Sequence, residues 1–365
     1  MTLPARVRPV AAALAALVLV LCTAAPARAD RIRDREWWLG PLKVAQAQRI
    51  TKGAGVTVAV LDSGVNAGHP DLKGAVLAGR DMVSGKNAHF DAEGHGTAMA
   101  GIIAARGRGG AGFLGIAPAA KILPVTPSDV TMFVSQGIRW ATAHGAKVIN
   151  MSFAIVPSDN MHAAIREAAA ADIVLVGAAG NNGNTDNKAE YPSSYPEVLA
   201  VGATGRNGKV LPLSHHGPQV DLVAPGGDML LPVYGKGYLV GNGTSGATAI
   251  VSGAAALIRA RHPELSAAQV VQILTETAID RGPAGRDDHY GNGELNLMAA
   301  LNAAPPRASP SAAPVSQEPA AAPVQASGDD TGGGIPPLLI VAGGVVLLVV
   351  AVLVGIVALR RVGSR

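Results

Sequence analysis

Short runs of branched aliphatic residues alternate with longer alanine-rich stretches through the middle of this chain, and that alternation limits the folds open to it. Val56-Thr-Val-Ala-Val-Leu61, Val148-Ile149, Ile173-Val-Leu-Val176 and Val198-Leu-Ala-Val201 read as strands. Stretches near His95–Ala105, Val130–His144, Asn160–Ala171, Ser245–Arg261 and Ala267–Thr277 read as helices. Strands that are apolar throughout, rather than at alternate positions, must be covered on both faces. Separated by helices, they predict an α/β fold of three layers around a mostly parallel central sheet. With only three tryptophans, five tyrosines and four phenylalanines, the core must be built mainly from Ala, Val, Leu and Ile, with closely spaced elements. Sheets of this kind hold ligands beyond the carboxyl ends of their strands. Asp62, Asn181 and Ser245 fall at such ends or at the helix starts that follow them.

The two ends of the chain differ from this body. Arg6 and Arg8 precede an apolar run from Val10 to Cys22, and Ala27-Arg28-Ala29 stands before Asp30, so residues 1–29 read as a signal peptide. Its removal would take away Cys22, the only cysteine, and with it any internal disulfide. The body is expected over residues 30–300. A tether rich in Pro, Ala, Ser and Gly follows over 301–334. Leu338 to Leu359 carry no charge, so a transmembrane helix is expected over 335–359, long enough for roughly 30 Å of hydrocarbon. Asp329 and Asp330 precede it, and Arg360, Arg361 and Arg365 follow it. The short basic tail, 360–365, is then expected in the cytoplasm. These features predict a single-pass protein of the cell membrane, with the lipid bilayer as a partner and the body outside. A net charge of +4 with no basic stripe argues against nucleic acid as a partner.

Four segments carry the chemistry. Ala59-Val-Leu-Asp62-Ser-Gly64 places an acid at a strand end, and Gly94-His95-Gly96-Thr97 opens a helix of small residues. Ala179-Gly180-Asn181 follows a strand directly, and Gly243-Thr244-Ser245 opens another helix. A serine hydroxyl becomes a useful nucleophile when an imidazole can take its proton. The imidazole in turn needs an acid on its other nitrogen, to hold the tautomer and stabilise imidazolium. An oxyanion needs donors, which a side-chain amide and a backbone N–H at a helix start supply.

The order Asp, His, Asn, Ser resembles the subtilisin-like serine proteases (subtilases, peptidase family S8). So do His69-Pro-Asp-Leu72, Gly115-Ile-Ala-Pro118, Val148-Ile-Asn-Met-Ser152 and Val223-Ala-Pro-Gly226. The chain-wide layout, with Glu36-Trp-Trp-Leu-Gly-Pro41 near the start of the body, is most similar to the mycosins associated with type VII secretion. The resemblance implies a subtilisin-like fold and a serine endopeptidase that works through an acyl-enzyme on Ser245. Asp62, His95 and Ser245 would be catalytic and Asn181 would line the oxyanion hole, while Ser152, Phe153, Ala154 and Ile155 would bind substrate. It implies protein or peptide substrates outside the membrane, drawn from exported proteins or secretion-system components, and a type VII membrane complex as a partner. The alternative is a structural part of such a complex with weak or dispensable proteolysis. No cofactor is expected.

Three departures from the family pattern stand out. Gly246 follows the nucleophile where a large residue is usual. Phe153-Ala154-Ile155 stands where glycines are common, which predicts a restrictive cleft for small side chains such as alanine. The Arg106–Gly112 loop, where relatives bind calcium, lacks helpful side chains beside Asp71, so no metal site is expected.

Overall fold

In the computed structural model, which describes residues 30–306 apart from 111, 234 and 236, strand β1 (Thr57–Leu61) has parallel neighbours on both sides. Its consecutive apolar residues follow from this placement: Val58 and Val60 face one core, while Ala59 and Leu61 face another. With β2 (Arg80–Asp81), β3 (Lys121–Thr126), β4 (Val148–Met151), β5 (Val174–Ala178), β6 (Leu199–Thr204) and β7 (Leu222–Pro225) it forms a parallel sheet of order β2-β3-β1-β4-β5-β6-β7. Strands β8 (Met229–Pro232) and β9 (Tyr238–Gly241) pair antiparallel in a separate hairpin.

The helices are α1 (Asp30–Arg35), α2 (Val44–Ile50), α3 (His95–Ala104), α4 (Thr131–Ala143), α5 (Asp159–Ala170), α6 (Thr244–Arg261), α7 (Ala267–Glu276) and α8 (Leu297–Asn302). Residues of α3, α6 and α7 build the core on one face of the sheet, and residues of α4 and α5 build it on the other. The expected three-layer α/β arrangement is therefore present. From β1 the chain moves out to β2 at the sheet edge, comes back through β3 and then crosses to the far side of β1 with β4, so the later strands are laid down in the other direction. A crevice opens at the carboxyl ends of strands beside such a reversal. Asp62 follows β1 and Ser152 follows β4.

Strand β3 escaped the sequence reading because of Pro124, which lacks a ladder donor. Ile122 donates outward to Ala75 O, and Pro124, two residues on, faces the same edge. There β2 begins only opposite Val125, so the missing N–H costs no strand pairing. The body also runs slightly beyond its expected end, since Leu301 is fully buried in the core and α8 closes at Asn302.

The membrane expectations are corrected. Among the described residues no helix is long and apolar enough to cross a bilayer. The longest of them, α6, is apolar because it is buried in the domain, and it ends on Arg259 and Arg261, with Arg259 paired to Asp172 at 2.8 Å. The transmembrane helix as part of the fold, the membrane-anchored single-pass topology, the cell-membrane location and the bilayer as a partner are therefore withdrawn. Residues 335–359, on which they rested, lie outside the described residues, as do the signal peptide over 1–29, most of the tether and the tail over 360–365.

Candidate active site

The end of β1 and the start of α3 bring Asp62 and His95 together. His95 Nδ1 lies 2.8 Å from Asp62 Oδ1 and 2.9 Å from Oδ2. The Asp62 side chain is 4% exposed and that of His95 40%, so the carboxylate is shielded while the ring reaches the cleft. Burial pulls the His95 pKa down. The charge and hydrogen bond of Asp62, with the Asp91 and Glu93 carboxylates behind them, outweigh that and hold it above the ordinary histidine value. Gly96 is required by close approach: a Cβ there would meet Gly64 O at 2.0 Å and Asp62 Cβ at 3.0 Å.

Asp91, which the sequence reading did not single out, braces this corner. Fully buried, it accepts from Gly94 N–H (2.8 Å), Thr97 N–H (2.8 Å), the Thr97 hydroxyl (2.5 Å) and the Ser63 hydroxyl (2.8 Å). Ser63 Oγ in turn accepts from Gly96 N–H at 3.0 Å, and Ser63 N–H donates to Asp62 Oδ1 at 2.8 Å. A carboxylate is well placed at the start of a helix, where backbone N–H groups lack partners. Its position just ahead of the Gly94-His95 turn was the sequence signal that could have found it.

The side that carries Asn181 and Ser245 is assembled from the end of β5 and the start of α6. Asn181 Oδ1 accepts from Thr244 N–H at 2.9 Å and from the Thr244 hydroxyl at 3.2 Å. A backbone N–H can only donate, so the amide oxygen must face the helix start, which leaves Asn181 Nδ2 to donate elsewhere. Ser245 Oγ donates to Ser152 O at 3.3 Å, and Ser152 Oγ donates to Ser245 O at 3.2 Å. Here the serine hydroxyl rests on the β4 edge rather than on His95. His95, Asn181, Gly243 and Ser245 share a depression of about 250 Å3.

A larger cleft of about 550 Å3 runs past Asp62 and His95 between residues 126–129 and 152–156. Ser152, Phe153, Ala154 and Ile155, the residues expected to bind substrate, all line it. Phe153 and Ile155 are also packed against the core on that side of the sheet, together with Tyr191, whereas Ala154 is exposed. The bulk that predicted a restrictive cleft thus lies along a wall shared with Val134 and Val156.

The other two departures have local explanations. A Cβ on Gly246 would meet Met229 Sδ at 2.5 Å, so the thioether of β8 occupies the space that a side chain after Ser245 would take. The Asp71 carboxylate, fully buried, receives Arg108 Nε at 2.5 Å and the Tyr238 hydroxyl, while Arg33 donates to Gly112 O at 2.9 Å. Guanidinium groups therefore satisfy the groups of that loop.

Residues 53–293 match the family model of peptidase S8, the subtilase family. Subtilisin DY of Bacillus licheniformis is 40% identical over 258 residues, covering 68% of this chain and 92% of its own length. The crystal structure of MycP1 from the ESX-1 type VII secretion system is similar with a TM-score of 0.66 and 32% identity, over 73% of this chain and 84% of that one. Fervidolysin from Fervidobacterium pennivorans, a keratinolytic enzyme related to subtilisin, gives 0.67 and 30% identity over 73% of this chain and 46% of that one.

Proposed function

Because the chain belongs to the subtilase family of serine endopeptidases, we propose that Asp62, His95 and Ser245 are its catalytic triad and Asn181 its oxyanion-hole side chain. The observation that carries this is the Asp62–His95 pair at 2.8 Å, set beside a helix start whose Thr244 N–H and hydroxyl orient Asn181. With Nδ1 held by Asp62, Nε2 is the ring nitrogen left to act as base. Ser245 Oγ leaves Ser152 O, gives its proton to Nε2 and attacks the scissile carbonyl. The charge that develops on the carbonyl oxygen is met by Asn181 Nδ2 and the Ser245 N–H. His95 then returns the proton to the departing amine, and water, activated by the same ring, hydrolyses the acyl-enzyme. Asp62 stays ionised throughout and stabilises the imidazolium.

The substrates we propose are exported proteins or components of a secretion machinery. The likeness to MycP1, an essential component of the type VII (ESX-1) secretion system, supports this. Comparing the N-termini of secreted proteins from cells carrying the wild-type or Ser245→Ala chain tests activity and substrate class together. Loss of discrete processed N-termini in the variant is expected. Identical N-termini, with secretion intact, would instead favour a role as a structural component.

A further inference from the structure

We propose that Glu190 makes this enzyme select lysine or arginine as the residue whose carbonyl is attacked. The proposal rests on the reading of Ser245 and Asn181 given above, because those two residues mark where that carbonyl must lie. The side chain on its acyl side then has to find room between the 152–155 edge and the Gly180–Asn181 turn. Glu190 belongs to a segment that touches both sides of this space. Ile155 N–H donates to Tyr191 O at 2.9 Å, which ties the residue after Glu190 to the substrate edge. The Ser193 and Ser194 hydroxyls donate to Glu190 O at 3.0 and 2.6 Å and hold the segment in place. The carboxylate itself lies against Gly180: a Cβ on that glycine would meet Glu190 Oε2 at 2.6 Å and its carboxyl carbon at 2.8 Å. A glycine directly before Asn181 is what lets an acid reach the site.

This acid lacks a counter-charge. It is half-buried, and among the described residues its carboxylate has neither a hydrogen bond nor an ion pair, whereas nearby Lys188 is committed to Asp186 at 3.0 Å. Burial first, and the Asp186 charge second, hold the Glu190 pKa above the ordinary carboxylate range. A partly desolvated carboxylate without a partner is an unfavourable arrangement in the free protein, and an incoming ammonium or guanidinium group would relieve it. A long side chain with a terminal cation fits such a site: its methylenes run along the backbone walls and its charge reaches the acid at the end. The expectation of small residues such as alanine, which rested on the volume of Phe153 and Ile155, gives way because both side chains lean on the core.

The test measures kcat/KM for peptides that differ only at the attacked residue (Lys, Arg, Leu or Ala), using the full chain and its Glu190→Gln and Glu190→Asp variants. Active sites are counted with an uncharged fluorophosphonate. Lys and Arg should exceed Leu and Ala by at least about tenfold in the wild type. Glu190→Gln should lower the rates for Lys and Arg by about 10–100-fold, the scale of one charge-assisted contact, and leave Leu and Ala within about threefold. Glu190→Asp should keep part of the preference. Labelling of Ser245 with Ala or Leu equal to Lys, or an equal loss on all four peptides in the Gln variant, would overturn the role of Glu190 and leave the protease reading standing. Failure to label Ser245 would overturn both.

Discussion

Two walls frame Ser245, and they treat their acids differently. On the β1–α3 wall, Asp91 is fully buried and accepts four hydrogen bonds, while Asp62 is committed to His95. On the β5 wall, the Asn181 side chain is tied through its oxygen alone and the Glu190 carboxylate has no partner among the described residues. Saturated polar groups resist rearrangement, because removing one partner strands several others. Unsaturated ones are groups for which the fold has supplied no partner, and next to a nucleophile the substrate can supply it. With His95 as the proposed base and Asn181 as the proposed oxyanion donor, one wall keeps the base in place and the other receives charge as a reaction proceeds.

The sharpest way to break this comparison is Asn181→Ala. If Asn181 meets the oxyanion, kcat should fall by roughly 10²–10³-fold, or about 3–4 kcal/mol, a scale measured in a subtilisin of this same family, with little change in folding. A loss under fivefold in steady-state assays would reduce Asn181 to a turn residue. Asp91→Ala attacks the opposite wall and should act on stability: at least about 3 kcal/mol is expected, since several buried donors lose a charged acceptor at once. Urea unfolding in the Ser245→Ala background, where self-digestion is removed, reads this directly. A loss below about 0.5 kcal/mol, the scale of an ordinary surface change, would show that the network does not hold the wall.

Gly246→Ala probes the space beside the nucleophile. The new Cβ collides with Met229 Sδ, so a cost of about 1–3 kcal/mol is expected, shrinking when Met229 is also truncated to alanine. Independent, additive effects in the double variant would contradict the contact. The smallest expected effect is a displacement in pH. As the proposed base, His95 must be neutral to take a proton, and its pKa is held above the ordinary histidine value. The rise of kcat/KM with pH should therefore have its midpoint above 6.5, measured on a peptide with a neutral residue at the attacked position. By linkage, the stability that His95 draws from Asp62 is complete below the ordinary value and is lost as pH rises through the raised one. A midpoint below 6.5 would show that burial, rather than Asp62, dominates at that ring.

The same contrast explains what the sequence made legible. The strands of the sheet centre are β-branched and doubly covered, so Val56–Leu61 and Ile173–Val176 could be read from local pattern alone, whereas Pro124 hid β3. Asp62 and His95 were legible because each sits in a distinctive short segment, and the structure brings them within hydrogen-bond distance. Met229 and Glu190 were not. Their importance lies in what faces them: a thioether filling the space above Gly246, and a carboxylate admitted by Gly180. Neither neighbour can be inferred from spacing along the chain. The bulk of Phe153 and Ile155 was visible, but which way it leaned depended on the core beneath.

Ser245, activated by His95, is the proposed nucleophile of an endopeptidase. The most direct test treats the full chain with a fluorophosphonate and maps the adduct by peptide mass spectrometry, in the wild type and in His95→Ala. One adduct is expected, on Ser245, formed in proportion to lost peptidase activity and suppressed at least about 10³-fold in rate without the imidazole. An adduct elsewhere, or labelling of Ser245 that is indifferent to His95, would contradict it.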